Sequence, residues 1–127
     1  MQLMIWKPQA SNLTIYLLFS DNSTAGSLAL QGANFAEEAA VVGKLRAAGA
    51  IILGKTNVSE WGNARRTDGW SAVRGRTLGA YSDTQHPGGS SCGSAVAVRL
   101  GFAAAAVGTE VNHCTHSVFM IADFAHS

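Results

Sequence analysis

Apolar and polar positions along the chain sort into segments with different periods. From about Phe35 to Ala48, Phe35, Ala39, Val42 and Leu45 recur at helical spacing while Glu38, Lys44 and Arg46 fall elsewhere, which predicts an amphipathic helix. Its ends carry their own marks. Asn34 can cap the first turn with Glu37 three residues on, acids stand near the positive end, Lys44 and Arg46 near the negative end, and Gly49 is placed to stop it. The following Ala50-Ile51-Ile52-Leu53 is apolar without alternation and bounded by glycines, as in a strand covered on both faces.

From Gly54 to Gly89 the chain is rich in Gly, Asn, Asp, Ser and Thr, and loop is expected there, with one helical turn near Ser59 to Ala64. Ser94 to Leu100 reads as a short helix packed through alanine and valine, and Ala103 to Thr109 as a second buried strand in the same sheet as Ala50 to Leu53. Helix, strand, long loop, helix, strand in that order implies an α/β layer. Near the N-terminus, Leu13 to Phe19 follows Lys7 and imitates a short secretion signal. Its length is too small to span a bilayer, a small-residue cleavage site is not evident, and β-branched and aromatic residues dominate it, so a buried strand is the better reading.

Composition narrows the class. A chain of 127 residues with 47% hydrophobic and 13% charged residues has room for one small globular domain. Its formal net charge of +1 makes no broad basic field, and the arginines at 65, 66, 74, 76 and 99 are interspersed with apolar residues and glycines, which argues against nucleic acid as a partner. Arg65-Arg66 reads as a solvated loop pair, and no segment points to a membrane. Cys92 and Cys114 make no disulfide framework, so a reducing, cytoplasmic setting fits best; the residues fix no oligomeric state.

The densest candidate for chemistry is Gly88-Gly89-Ser90-Ser91-Cys92-Gly93-Ser94, a Gly/Ser loop running into Ala95-Val96-Ala97-Val98. Glycine allows unusual dihedrals and close approach, and serine supplies a hydroxyl that donates and accepts. A phosphate cradle would want lysine followed by Ser or Thr after the last glycine, and Ser94 follows Gly93 directly. A plain flexible turn before a helix remains the bland alternative. Context favours a site. Thr24-Ala25-Gly26-Ser27-Leu28-Ala29-Leu30, then Ala47 to Trp61 with Gly54-Lys55-Thr56-Asn57 inside it, then His86-Pro87 before the glycines, and Ala104 to Glu110 after them form an ordered set. Together they resemble the amidase signature family, serine hydrolases that cleave carboxamide C–N bonds.

The resemblance covers about residues 23–110, leaving 1–22 and 111–127 as divergent ends. It implies an α/β fold, a piece of a mixed β-sheet core wrapped by helices, in which several apolar faces here would lack their usual cover. It also implies a relay in which a neutral lysine accepts a proton through a bridging serine while a second serine attacks the amide carbonyl. Ser90 matches the bridging serine, with Gly89-Ser90 as the expected cis bond. Gly88, Gly89, Ser91, Gly93 and Ser94 match the surrounding substrate and oxyanion loop. The family's nucleophile lies shortly after a Gly-Thr-Asp or Gly-Thr-Glu like Gly108-Thr109-Glu110, and ungapped counting puts Cys114 there, with Asn112 and His113 where glycines belong. A thiolate can act as a nucleophile, but bulky His113 should disturb an oxyanion loop.

The family's lysine precedes Asp-Asn, whereas here Asp21-Asn22 follow Ser20, and Lys7 lies in Trp6-Lys7-Pro8. Lys55 matches a different family segment and reads as an exposed lysine rather than a base. Trp61 reads as a packing residue, with a substrate wall as its alternative. His113-Cys114-Thr115-His116 could be half of a zinc site but lacks a second pair, so no metal and no cofactor is expected. The expectation is an amidase-family chain acting on small-molecule amides by resemblance, itself inactive because the lysine and serine nucleophile are not found. The alternative is a non-catalytic remnant that binds ligands or a partner. An altered reading frame or an unspliced segment is the simplest account of the divergent tail.

Overall fold

In a computed structural model, the described residues are 3–6, 23–33, 36–64, 68–84, 87–109 and 119–121. The expected strand at Leu13 to Phe19 lies outside them, as do Lys7, Asn34, Phe35, Arg65-Arg66, Glu110 and the stretch holding His113, Cys114 and His116. Two α-helices, six strands and two short 3-10 turns (Leu28–Leu30 and Glu60–Asn63, the latter where a helical turn was expected) make up the described architecture: β1 (Leu3–Trp6), α1 (Ala40–Ala47), β2 (Ile51–Lys55), β3 (Trp70–Ser71), β4 (Gly75–Arg76), α2 (Cys92–Arg99), β5 (Ala105–Val107) and β6 (Phe119–Ile121). The α/β class is as expected.

The helix around residue 40 starts later than its sequence marks suggest. Ala39 is the N-cap, with extended backbone (φ −62°, ψ 136°) and no capping hydrogen bond from its side chain. One reason lies in Glu38, whose carboxylate reaches Arg46 Nε at 3.1 Å. In a continuous helix, residues eight apart are separated by about 12 Å along the axis, so the ion pair needs the segment before Ala40 to turn back beside the helix. At the other end the expected stop is present. Gly49 takes φ +81° and its N–H donates to Arg46 O (2.9 Å), while Ala50 N–H donates to Leu45 O (3.0 Å). Helix α2 ends the same way, with Gly101 N–H to Val98 O at 3.0 Å and Phe102 N–H to Ala97 O at 2.9 Å. Each pair of crossed bonds satisfies carbonyls that the helix itself leaves open.

Strands β2 and β5 belong to one sheet, as expected, but they are not neighbours. The order is β2-β1-β5-β6, and every neighbouring pair is antiparallel. Ile5 pairs with Ile52 on one side and with Ala105 on the other, and the β1–β2 register shifts between Met4 and Ile5, leaving Leu53 as the extra residue of a bulge. β1 and β6 come from the segments that flank the family-like stretch, and both pair into the same sheet. Val42 of α1 packs with Ile52 and Val107, with Leu45, Ala50 and Ala105 around them. Helix α2 buries Cys92, Gly93, Ser94, Ala97 and Val98 and lies against β5, β1 and β6.

This topology positions the candidate site. Because β2 and β5 are each antiparallel to β1, they run in the same direction, and their C-terminal ends open on the same edge of the sheet. Thr56 to Ser59 leave β2 there, and Gly108-Thr109 leave β5 there. The N-terminal end of α2, which carries the Gly/Ser loop, meets both. Among the described residues no helix is long and apolar enough to cross a membrane.

Candidate functional site

The Gly/Ser loop is fastened to its surroundings by nearly every residue. The Gly89–Ser90 peptide is cis, as the family resemblance implies. Ser90 is buried, and its carbonyl accepts the Ser59 N–H at 3.0 Å. Ser91 Oγ accepts the Thr109 N–H at 3.0 Å and lies 3.4 Å from Thr109 O, to which it donates, so the loop is stitched to the residue that leaves β5. That engagement explains why Ser91, the N-cap of α2, makes no side-chain cap bond. Ser94 is fully buried and donates its hydroxyl to Val107 O at 2.9 Å. With its proton so used, Ser94 accepts from Thr56 Oγ1 at 3.0 Å.

Two glycines here exist for close approach. A Cβ on Gly93 would stand 2.6 Å from both the N and O of Asn57, and the Gly93 N–H donates to Asn57 O at 3.2 Å. A Cβ on Gly89 would stand 2.7 Å from Asn63 Oδ1 and 2.8 Å from Ser59 Oγ. Only residues without a side chain let α2 and the loop sit this near the 56–63 segment.

Asn57 is a hub that its sequence context did not single out. Its amide donates to Thr77 Oγ1 at 2.8 Å and Gly75 O at 3.2 Å, and its Oδ1 accepts from Ser71 Oγ at 2.8 Å. The side chain therefore holds the β3–β4 hairpin while the main chain holds α2. Cys92, 1% exposed, closes the arrangement with its thiol 3.2 Å from Thr77 Oγ1. Ser59 and Ser71 are also fully buried. The available signal was the polar cluster Thr56-Asn57 directly after an apolar strand, since polar groups buried at a strand end need partners.

Of the expected site residues, Gly88, Gly89, Ser90, Ser91, Gly93 and Ser94 form one continuous loop and helix start; Cys114 lies outside the described residues. The lysines among the described residues, Lys44 and Lys55, are exposed, and the Lys55 amine donates to Ser23 Oγ at 2.8 Å. Trp61 is 41% exposed rather than packed, and it sits in a left-handed turn (φ 52°, ψ 35°).

An α/β layer in which a glycine- and serine-built loop enters a helix is the class of arrangement that the sequence resemblance implies. The comparisons agree: the Amidase family model matches residues 21–113, and the chain belongs to that family. It is 48% identical over 101 residues to a protein of Arthroderma benhamiae that carries the amidase name, covering 75% of this chain and 17% of that protein. It is 45% identical over 94 residues to a probable amidase of Arabidopsis thaliana, covering 72% of this chain and 18% of the relative. A chloroplastic/mitochondrial glutamyl-tRNA(Gln) amidotransferase chain of Zea mays is 50% identical over 76 residues, with 60% of this chain and 14% of the relative covered. The chain thus spans less than a fifth of the length of these curated relatives. No solved structure matches it.

Proposed function

We propose that this chain carries the proton-relay loop of an amide-hydrolysing site, with Ser90 as the bridging hydroxyl, and that these 127 residues by themselves do not turn amides over. In the reaction this reading implies, a base draws a proton through Ser90 from a nucleophile, which attacks the carbonyl of a small carboxamide. The amine leaves with a proton returned along the same path, and water clears the acyl group. The observation that carries the reading is the setting of Ser90: buried in the loop that enters α2 and tied through its carbonyl to Ser59. A relay hydroxyl needs that kind of fixed position, because proton transfer requires partners held at hydrogen-bond distance.

What supports the inactive reading is the rest of the set among the described residues. Lys44 and Lys55 are exposed, and Lys55 is engaged with Ser23. Cys114 replaces the serine nucleophile by sequence position, with His113 in the oxyanion segment. The test is ammonia release from acetamide and benzamide by the purified chain. No release above buffer is expected. Steady release abolished by both Ser90→Ala and Cys114→Ala would replace this reading with a cysteine nucleophile working through the relay.

A further inference from the structure

β2 and β5 do not pair with each other. β1 lies between them and pairs with both, Leu3 to Trp6 against Lys55 to Ile51 on one side and Leu3 to Ile5 against Val107 to Ala105 on the other. Neighbouring strands stand about 4.8 Å apart, so this one strand holds β2 and β5 about 10 Å from each other. That spacing is felt at the candidate site. Just beyond β2, the Ser59 N–H donates to Ser90 O at 3.0 Å, and just beyond β5, the Thr109 N–H donates to Ser91 Oγ at 3.0 Å. The Gly/Ser loop is thus anchored on both sides of the slot that β1 fills.

The chain has more connection than β1 needs to reach that slot. Ser23 lies beside the end of β2, where its Oγ accepts from the Lys55 amine at 2.8 Å, and Lys55 is paired with Leu3. Trp6 is paired with Ile51 at the opposite end of β2. A return from Trp6 to Ser23 therefore spans one five-residue strand and one lysine side chain. That is on the order of 20 Å, which about six extended residues cover. The sixteen residues 7–22 separate the two positions, and that many can reach about 50 Å. β1 can therefore enter its own slot or the identical slot of another copy.

We propose that β1 is exchanged between two copies of this chain, so that each copy's β2 and β5 are joined by the other's Leu3–Trp6 and each Gly/Ser loop rests on a sheet that the partner completes. The slot itself selects this occupant. It takes a strand antiparallel to both neighbours, with a register shift against β2 between its second and third residues, and Leu3–Trp6 already meets that pattern. Every backbone pair of the single chain recurs in the exchanged pair, so no ladder hydrogen bond is lost and the balance is set by concentration. A connection of this length gives β1 an effective concentration at its own slot on the order of 1 mM, so exchange becomes substantial as the protein approaches that concentration during folding.

The experiment unfolds the full chain in urea, refolds it under reducing conditions at about 10 µM and at about 1 mM, and reads the mass by light scattering after size exclusion. The fraction of chains with doubled mass should be roughly tenfold larger, or more, at the higher concentration. Exchange is distinguished from ordinary association by cysteines at the paired positions Met4 and Ala106. Directly opposed strand residues are close enough for a disulfide. Met4→Cys chains and Ala106→Cys chains, refolded together at the higher concentration and then oxidised, should form a bridge between positions 4 and 106 of different chains, located by peptide mass spectrometry. The doubly substituted chain, refolded at the lower concentration, should close the same bridge within one chain. A chain that stays monomeric at both concentrations, or a dimer whose mixed variants remain unlinked, would overturn the proposal. So would a double variant that closes no bridge, because β1 would then not lie beside β5.

Discussion

One chemical change made at two helix glycines should move stability in opposite directions. Gly43 in α1 is exposed, and a Cβ there would meet nothing nearer than Glu38 Oε2 at 3.8 Å, an ordinary contact. Gly43→Ala should therefore stabilise the chain by about 1 kcal/mol, the helix-propensity difference between the two residues. Gly93 in α2 is buried, and its Cβ would stand 2.6 Å from the Asn57 backbone and 2.9 Å from Thr56 Cβ. Neither neighbour is a flexible chain end that can swing aside. The same propensity gain of about 1 kcal/mol is set against overpacking of about 1–3 kcal/mol and a strained or lost Gly93–Asn57 hydrogen bond of about 1 kcal/mol. Gly93→Ala should come out destabilised by roughly 2 kcal/mol, about 3 kcal/mol apart from Gly43→Ala. Urea unfolding followed by tryptophan emission reads this directly. With an m-value of about 1–1.5 kcal/mol/M for a chain of this size, the Gly93→Ala midpoint should fall by roughly 1.5 M and the Gly43→Ala midpoint should rise. If Gly93→Ala is as stable as the unaltered chain, α2 does not sit against Asn57 as described.

The polar network yields further expectations. Ser94→Ala removes a fully buried hydroxyl from Val107 O and Thr56 and should cost about 1–3 kcal/mol by the same urea assay; a neutral outcome would contradict the bonds described. Asn57→Ala strips the amide from Ser71, Gly75 and Thr77 and should cost about 3 kcal/mol, with loss of hydrogen-exchange protection across β3 and β4 before the β2–β1–β5 core; uniform loss would argue against its role as a hairpin anchor. Trp61→Gly relieves about 1–2 kcal/mol of left-handed strain but gives up the buried part of a residue that is 41% exposed, about 2–3 kcal/mol of apolar contact, so the urea midpoint should fall slightly; a clear rise would show that the indole contributes no packing.

How much of the molecule is legible in its sequence depends on the kind of signal each element leaves. Unbroken apolar runs identified β2 and β5, and Gly49 marked the end of α1, because burial and left-handed caps leave local marks. The start of α1 misled for a long-range reason: Glu38 counted as a first-turn acid, whereas it pairs with Arg46 from outside the helix. β1 at Leu3–Trp6 was not distinguished, because four apolar residues near a chain end have no period, and only its pairing with both β2 and β5 defines it. The Gly/Ser loop stood out by its composition, and the structure places it where β2 and β5 end. Asn57 did not, since its side chain's partners lie up to twenty residues away and its carbonyl's partner is Gly93, farther still, and no local pattern announces them. Trp61 reads in sequence as core material, and it is the backbone reversal at 61–63 that turns it outward.

The central claim, a relay loop without turnover, is tested most directly by the intact mass of the chain quenched during incubation with benzamide. The account predicts the unmodified mass at every time point. A benzoyl adduct that forms on the unaltered chain and disappears in Ser90→Ala would contradict it, because it would show that a nucleophile within these residues is already served by the loop.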